Sequence, residues 1–255
     1  MTRLLIRFIC AISLVVAANA FQFQRTTADS RHNSLRMQHE RIVVTGLGVV
    51  SPVGSEPNAF FDNLCNGVSG ITKLDRFDAA PFKCQIAGQI KDFDPRAHYK
   101  SKKKIKQNDL CTHFAVAASH LAMADAGIDL LALDGKVDPT RVGVIVGSAF
   151  GGMDSFEKAA NDLAQFGPSA VGPYTIPMIL GNTAAGIVAM ETGAKGPNFG
   201  VQTACATATH ALGEVIMKPM KFQSNLLRFL SQCNLLGALN VHQARYIKYE
   251  LTTYT

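Results

Sequence analysis

The residue with the clearest chemical potential is Cys205, which lies in the run TACAT at positions 203–207. The preceding residues, 198–202, predict a short strand, and the residues from 203 onward predict the start of a helix. The positive end of such a helix stabilises a thiolate. Small neighbours leave room for an acyl group, and the Cys205 N–H is available to donate to the oxyanion that forms on the acyl carbonyl oxygen when the sulfur attacks it. Taken alone, however, a cysteine among alanines is more often a small buried apolar residue.

Metal and nucleotide chemistry are not indicated by the remaining motifs. The six cysteines contain no C-x-x-C pair and no cysteine–histidine spacing typical of zinc sites, and they are too few for a disulfide scaffold. Gly46 and Gly48 form a G-x-G, but Ser51 stands where the third glycine of a dinucleotide fingerprint belongs. We therefore predict reduced thiols, no bound metal and no cofactor.

The net charge of +6 is unevenly distributed along the chain. A lysine cluster contains Lys100, Lys102, Lys103, Lys104 and Lys106. Basic and aromatic residues are not interleaved along a face, so we predict no nucleic-acid binding. The cluster is either a solvated loop face or a surface that docks an acidic partner through charge complementarity, and we favour docking.

Strands and helices alternate along residues 41–217. Residues 41–46 and 141–147 predict buried strands, and residues 109–126 predict a helix that ends at Gly127. Further helices are predicted at 58–66, 153–165 and 178–192, with loops and short strands at 70–98 and a loop at 168–177. This order predicts an α/β domain with a largely buried sheet.

The first forty residues have the composition of targeting segments. Residues 1–20 combine a basic start, a short apolar run and an A-x-A site, as in a signal peptide; the alternative is a buried N-terminal helix. The apolar run is too short to span a bilayer comfortably. Residues 21–40 are rich in arginine, serine and threonine, as in a transit peptide. Together they resemble the bipartite presequence of algae whose plastids lie inside extra membranes, which predicts the plastid stroma.

Three sequence blocks, taken together, resemble one family. They lie at 43–54, 146–153 and 193–207, the last ending in the cysteine motif. In their order and spacing over residues 41–217 they resemble the β-ketoacyl-acyl carrier protein synthases of the elongating type. The resemblance implies a thiolase-like layered αβαβα fold, built from two pseudo-symmetric α/β halves, of which this chain has the N-terminal half.

The resemblance also implies a reaction and its residues. Cys205 is the acyl acceptor in a decarboxylating Claisen condensation with malonyl-acyl carrier protein, and His210 is structural. Phe150 lines the acyl pocket and favours short primers; the alternative is that its ring packs into the core. The carrier protein docks on the lysines, of which we name Lys102, Lys103, Lys104 and Lys106. A complete enzyme would be a homodimer, with strand 198–202 at its interface.

Residues 218–255 carry no recognisable part of this family. The missing half supplies two histidines, a lysine and a phenylalanine gate around the sulfur, so we predict that this chain alone is inactive in condensation. We also predict an incomplete sheet with an exposed apolar face. Two alternatives remain open: a non-catalytic short form that binds full-length synthase or acyl carrier protein, and a thiolase-fold acyltransferase that uses coenzyme A.

Overall fold

The computed structural model describes residues 42–131, 137–217, 227–233 and 242–249. All of them belong to one compact unit, residues 40–255. The predicted targeting segments, residues 1–20 and 21–40, lie outside the described residues. No helix within the described ranges is long and apolar enough to cross a membrane.

The described residues of this unit form seven strands and seven α-helices. The strands are β1 Ile42–Val50, β2 Ile71–Lys73, β3 Ile86–Gly88, β4 Val142–Ser148, β5 Asn198–Val201, β6 Leu227–Cys233 and β7 His242–Tyr249. The helices are α1 Pro57–Cys65, α2 Lys102–Ile105, α3 Leu110–Asp125, α4 Met153–Phe166, α5 Thr175–Ile179, α6 Thr183–Thr192 and α7 Thr207–Met217. The predicted alternation of strands and helices is confirmed.

Five strands form one mixed sheet in the order β1-β7-β6-β4-β5. Strand β4 runs parallel to β5 and β6, whereas β7 is antiparallel to β6 and β1. The sheet is more complete than predicted, because residues 227–233 and 242–249 supply the two strands that join β4 to β1. The exposed apolar face remains a prediction. Strand pairing needs only extended backbone in register, so it does not require a recognisable family motif.

Strand β4 is the centre of the core and is buried along its whole length. On one face, Val144 and Val146 belong to a cluster with α3 and α6. On the other face, Ile145 packs against Ala211 and Val215 of α7. Cover on both faces is what a continuous apolar strand predicts, and it confirms the buried strand expected at 141–147.

Strand β1 lies directly against helix α3. A Cβ added to Gly46 would collide with the Ala122 carbonyl oxygen, and one added to Gly48 would collide with that of Ala118. The helix and strand backbones therefore touch only because these positions are glycine. This contact gives the G-x-G pattern a packing role.

The helix predicted at 178–192 is wrong in its first part. The chain forms two helices there, α5 and α6, and Leu180 between them has an extended ψ of 133°. Gly181 meets the Gln202 side chain, and Asn182 meets the backbone of Gly200. The break thus brings the segment between the two helices against the chain that enters the cysteine motif.

Candidate active site and basic surface

Cys205 lies in a tight turn between β5 and α7, which we call the nucleophile turn, residues 202–207. Residues Ala204–Ala206 form one 3₁₀ turn, and α7 begins at Thr207. Ala204 has a φ of 48°, a left-handed conformation that non-glycine residues seldom adopt. The Cys205 side chain is exposed. The turn therefore presents the thiol to solvent just before a helix N-terminus, as the sequence predicts.

One buried threonine holds the nucleophile turn in shape. Thr207 is 0% exposed. Its Oγ1 accepts the Thr203 N–H at 3.0 Å and donates to the Ala204 carbonyl oxygen. Its methyl group faces Gly147 of β4 so closely that a Cβ there would overlap it. The Thr207 hydroxyl thus holds the strained backbone of the turn, and the Thr207 methyl group packs the turn against Gly147 of the sheet.

A glycine-rich turn follows β4 at the same edge of the sheet. Gly147 of β4 pairs with Val201 of β5, and the two strands are parallel, so both turns leave the sheet side by side. In the second turn, Gly151 has a φ of 80° and donates its N–H to Ser148 Oγ at 3.0 Å. Phe150 lies in this glycine-rich turn, which neighbours the nucleophile turn.

The Phe150 side chain is 55% exposed. Its ring therefore does not pack into the core, which was the alternative to a role in substrate binding. The acyl-pocket role remains a prediction, now with the ring placed at the sheet edge that also carries Cys205.

Asp109 fixes the helix that follows the glycine-rich turn. It is 3% exposed and precedes α3 as its N-cap, where Oδ1 accepts the Cys111 N–H at 3.0 Å. Its Oδ2 accepts both the N–H and the hydroxyl of Ser155 on α4, at 2.9 and 2.7 Å. The sequence analysis missed this role of Asp109, although an aspartate just before an apolar helical pattern signals a cap.

His210 lies on the first turns of α7 and is exposed. Its Nδ1 is 2.8 Å from the Thr203 Oγ1. This hydrogen bond ties the helix back to the end of β5, which fits the structural role predicted for the histidine.

The lysine cluster divides into outward and inward residues. Lys100, Lys102, Lys103 and Lys106 are exposed, and we call these four the basic surface. Lys104 is half-buried, with a side chain 36% exposed, and its ammonium lies 2.6 Å from Oε1 of Glu191 on α6, whose side chain is 0% exposed. Of the four lysines predicted to dock a carrier protein, Lys104 is thus engaged within the fold. The sequence analysis missed Glu191, because a single glutamate near a helix end gives no pattern.

Near the lysine cluster in sequence, Tyr99 and His113 are buried, and His98 and His120 are half-buried. Tyr99 is 7% exposed, and its hydroxyl is 3.0 Å from Nδ1 of His113. Burial lowers the pKa of His98, His113 and His120. Burial, and next the charge of Glu191, raise the pKa of Tyr99. These groups are therefore favoured in their neutral forms.

A cavity of about 270 Å³ adjoins the basic surface. Lys106, Lys158, Asp162 and Tyr174 are among its lining residues. Within the described part of the chain, no three histidine, cysteine or acidic side chains gather as a metal site.

Residues 39–221 match the family described as Beta-ketoacyl synthase, N-terminal domain. The chain belongs to the β-ketoacyl synthase family. It is 40% identical over 177 residues to 3-oxoacyl-[acyl-carrier-protein] synthase 2 of Staphylococcus aureus strain N315, and 38% identical over 177 residues to the Coxiella burnetii protein of that name. These stretches cover 69% of this chain but only 42% of each relative.

Solved structures show the same thiolase-like ketosynthase fold. A β-ketoacyl synthase from Burkholderia phymatum STM815 aligns with a TM-score of 0.69 and 20% identity, over 83% of this chain and 59% of that one. A chain of the AntDE:AntF structure, described as a type II PKS acyl-carrier protein in complex with its ketosynthase, aligns with a TM-score of 0.68 and 16% identity. That alignment covers 83% of this chain and 63% of the other. The predicted fold class is therefore confirmed, and the match is to the N-terminal domain.

Proposed function

We propose that this chain is the acyl-accepting half of a β-ketoacyl-acyl carrier protein synthase that acts in fatty acid elongation. The observation that carries the proposal is Cys205, exposed in a strained turn before α7 within the matched family domain. The curated relatives named 3-oxoacyl-[acyl-carrier-protein] synthase 2 support the reaction class.

In the proposed first step, the Cys205 thiolate attacks the carbonyl carbon of an acyl thioester on the carrier protein. The carrier thiol leaves and takes a proton, so the acyl group now forms a thioester with Cys205. In the second step, malonyl-carrier thioester loses CO₂, and its enolate carbon attacks the acyl-Cys205 carbonyl. Cys205 then leaves as a thiolate, and the β-ketoacyl product remains on the carrier.

We assign only the first step to this chain. By the family resemblance, the groups that polarise malonyl thioester and stabilise its enolate come from the other half of a complete synthase. The chain spans 42% of the curated relatives that it matches. We therefore propose that it accepts an acyl group but does not condense it.

The test is acyl transfer from an acyl carrier protein to the full 255-residue chain, mapped by peptide mass spectrometry. Cys65 and Cys84 are also exposed, so they are internal controls for indiscriminate thiol acylation. We expect the acyl mass on Cys205 and none on Cys65 or Cys84, with loss of the label in Cys205→Ala. Equal labelling of the three thiols would sink the proposal. Release of CO₂ and β-ketoacyl product from malonyl-carrier protein by the chain alone would refute the assignment to the first step.

A second candidate is a non-catalytic short form that binds full-length synthase. The observation that favours it is strand β5, which is at the edge of the sheet and pairs with β4 on one side. An edge strand is open to pairing with another chain. Co-purification of tagged Cys205→Ala chain with a full-length synthase, and its loss when Gly200 is replaced by Pro, would support this form.

We also propose the plastid stroma as the location, on the composition of residues 1–40. A fluorescent fusion of these residues in an alga with complex plastids is expected to reach the stroma. Retention in the cytosol or secretion from the cell would contradict it.

A further inference from the structure

A fully buried carboxylate lies beneath the basic surface. Glu191 is 0% exposed, and Oε1 is 2.6 Å from the Lys104 Nζ. The Lys100 backbone N–H donates to Oε2 at 3.3 Å. A buried carboxylate is strongly unfavourable without such partners, so the pair constrains where Lys104 lies.

Helix α2 has little local stabilisation of its own. It has four residues, three of them lysines, and Ser101 at its N-cap makes no side-chain hydrogen bond. No acidic residue lies in its first turn to offset its three lysines. A single turn of this composition needs contacts from elsewhere in the fold.

Those contacts come from three residues facing inward. Lys104 reaches Glu191, and Ile105 packs against the cluster that contains Val188 of α6. Asn108 Nδ2 donates to the Lys104 carbonyl oxygen at 2.8 Å. Helix α6 thus anchors α2 through the ion pair, and the core cluster holds Ile105.

We propose that Glu191 is a positioning residue for carrier docking. By holding Lys104 inward, it turns Lys102, Lys103 and Lys106 outward as one face for the acidic surface of an acyl carrier protein. This inference rests on the proposed function, which supplies the acidic partner. It adds Glu191, a residue that does not itself contact the carrier protein.

The orientation is tested first without any carrier protein, by the rates at which acetic anhydride modifies each lysine of the full chain. In the wild-type chain we expect Lys104 to react roughly tenfold more slowly than Lys103, because its half-buried ammonium is paired with the buried Glu191 carboxylate. Glu191→Gln keeps the shape of the side chain and removes the charge, and it should bring Lys104 within about threefold of Lys103. Glu157→Gln, on the exposed face of α4, is the matched control for the lost charge and should change neither rate.

Docking is tested by the Kd for an acyl carrier protein at low salt. We expect Glu191→Met and Lys104→Met each to weaken binding about tenfold, because each leaves α2 unanchored. The double variant places two apolar side chains in contact, which often replaces a buried ion pair without loss of stability. It should return the Kd to within about threefold of wild type. Circular dichroism melting of each variant confirms that the binding assay is done on folded chains.

The outcomes separate the inference from the proposed function. A double variant as weak as Lys104→Met means that Lys104 contacts the carrier directly, and the positioning role is wrong. Single variants that lower the melting temperature but leave Kd unchanged also overturn it, since the pair is then structural only. If the wild-type chain binds no carrier protein, the proposed function falls. Fast acetylation of Lys104 in the wild type would overturn the inference independently.

Discussion

The nucleophile turn and the basic surface are both exposed, but they are built in different ways. Three features shape the turn. Ala204 has a left-handed backbone conformation, the Thr207 hydroxyl bonds to the backbone of the turn, and Gly147 of β4 packs against the Thr207 methyl group. Lys102 and Lys103 of the basic surface lie on α2, a single weak helical turn whose inward lysine, Lys104, pairs with Glu191. The first therefore depends on close packing, and the second depends on charge.

This difference predicts how each region fails. A site held by backbone packing is sensitive to one added carbon atom and insensitive to pH or salt. A surface held by an ion pair to a buried carboxylate, with neutral histidines in the adjoining core, is sensitive to charge and pH, although its side chains tolerate changes in size. The two regions can therefore be disturbed separately, and the following changes are arranged from the largest expected effect to the smallest.

Gly147→Ala should have the largest effect, because its Cβ would overlap the Thr207 methyl group beneath the nucleophile turn. We expect a loss of roughly 2–3 kcal/mol in the free energy of unfolding, measured in urea. We also expect at least a tenfold slower acyl transfer to Cys205 in chains that remain folded, as about 1 Å of misplacement is costly. Gly186→Ala in α6, where an added Cβ meets nothing within 4 Å, is the matched control and should be neutral or slightly stabilising.

Thr207→Val removes the buried hydroxyl and keeps the shape of the side chain. The Thr203 N–H then loses its acceptor, so we expect a loss of about 1–2 kcal/mol in unfolding free energy. Acyl transfer to Cys205 should slow, whereas the Kd for carrier protein should stay unchanged. Thr209→Val, exposed on the same helix, is the control. Equal losses of acyl transfer and docking would contradict the separation of the two regions.

Acidification should weaken the support of the basic surface. Burial holds the pKa of His113 and His120 below the ordinary value of 6.5, so the unfolded chain takes up protons first as the pH falls. Stability is therefore complete above pH ~6.5 and declines below it, by at most about 1.4 kcal/mol per histidine for each unit of pKa shift.

The charged groups around these imidazoles do not reverse the lowering of their pKa. Asp109 faces His113, while His98, Lys100 and Glu191 face His120, and in both cases burial is the largest influence. The measurement is urea unfolding from about pH 7.5 to 5.5. In His113→Gln/His120→Gln the loss should be smaller than in the wild type. An identical pH dependence in that variant would contradict this source of the effect.

Phe150→Ile should have the smallest effect on the fold, because the ring is already half-exposed. If the ring shortens the acyl pocket, the smaller side chain should raise the rate of Cys205 acylation by long acyl groups relative to short ones. We expect a change of about fivefold in that ratio, typical of hydrophobic discrimination. An unchanged ratio would show that Phe150 does not set chain length.

The sequence predicted the nucleophile turn and its supporting elements more fully than the basic surface. Periodicity and glycine turns located β4, α3 and the cysteine motif, because these features are local. Glu191 is 87 residues from Lys104, and nothing in either segment signals that they meet. The break between α5 and α6 was missed for the same reason, since the segment between them contacts Gln202 and Gly200 from another part of the chain.

The tail shows a second limit of sequence patterns. Residues 227–233 and 242–249 carry no family motif, yet they pair with β4 and β1 and complete the sheet. The absence of a motif was a poor guide to the role of this segment, because backbone pairing depends on register and extension. Its boundaries as a separate domain, residues 218–255, remain a prediction.

The central claim is that the nucleophile turn and the basic surface act on one substrate, an acyl group on an acidic carrier protein. The direct measurement is the rate of Cys205 acylation by the full chain from two donors, an acyl carrier protein and a small acyl thioester, at increasing salt. We predict that transfer from the carrier slows at least about tenfold between low and high salt, because the docking charges are screened. Transfer from the small thioester should be nearly unchanged. Equal salt dependence for both donors, or acylation of neither, would contradict the account.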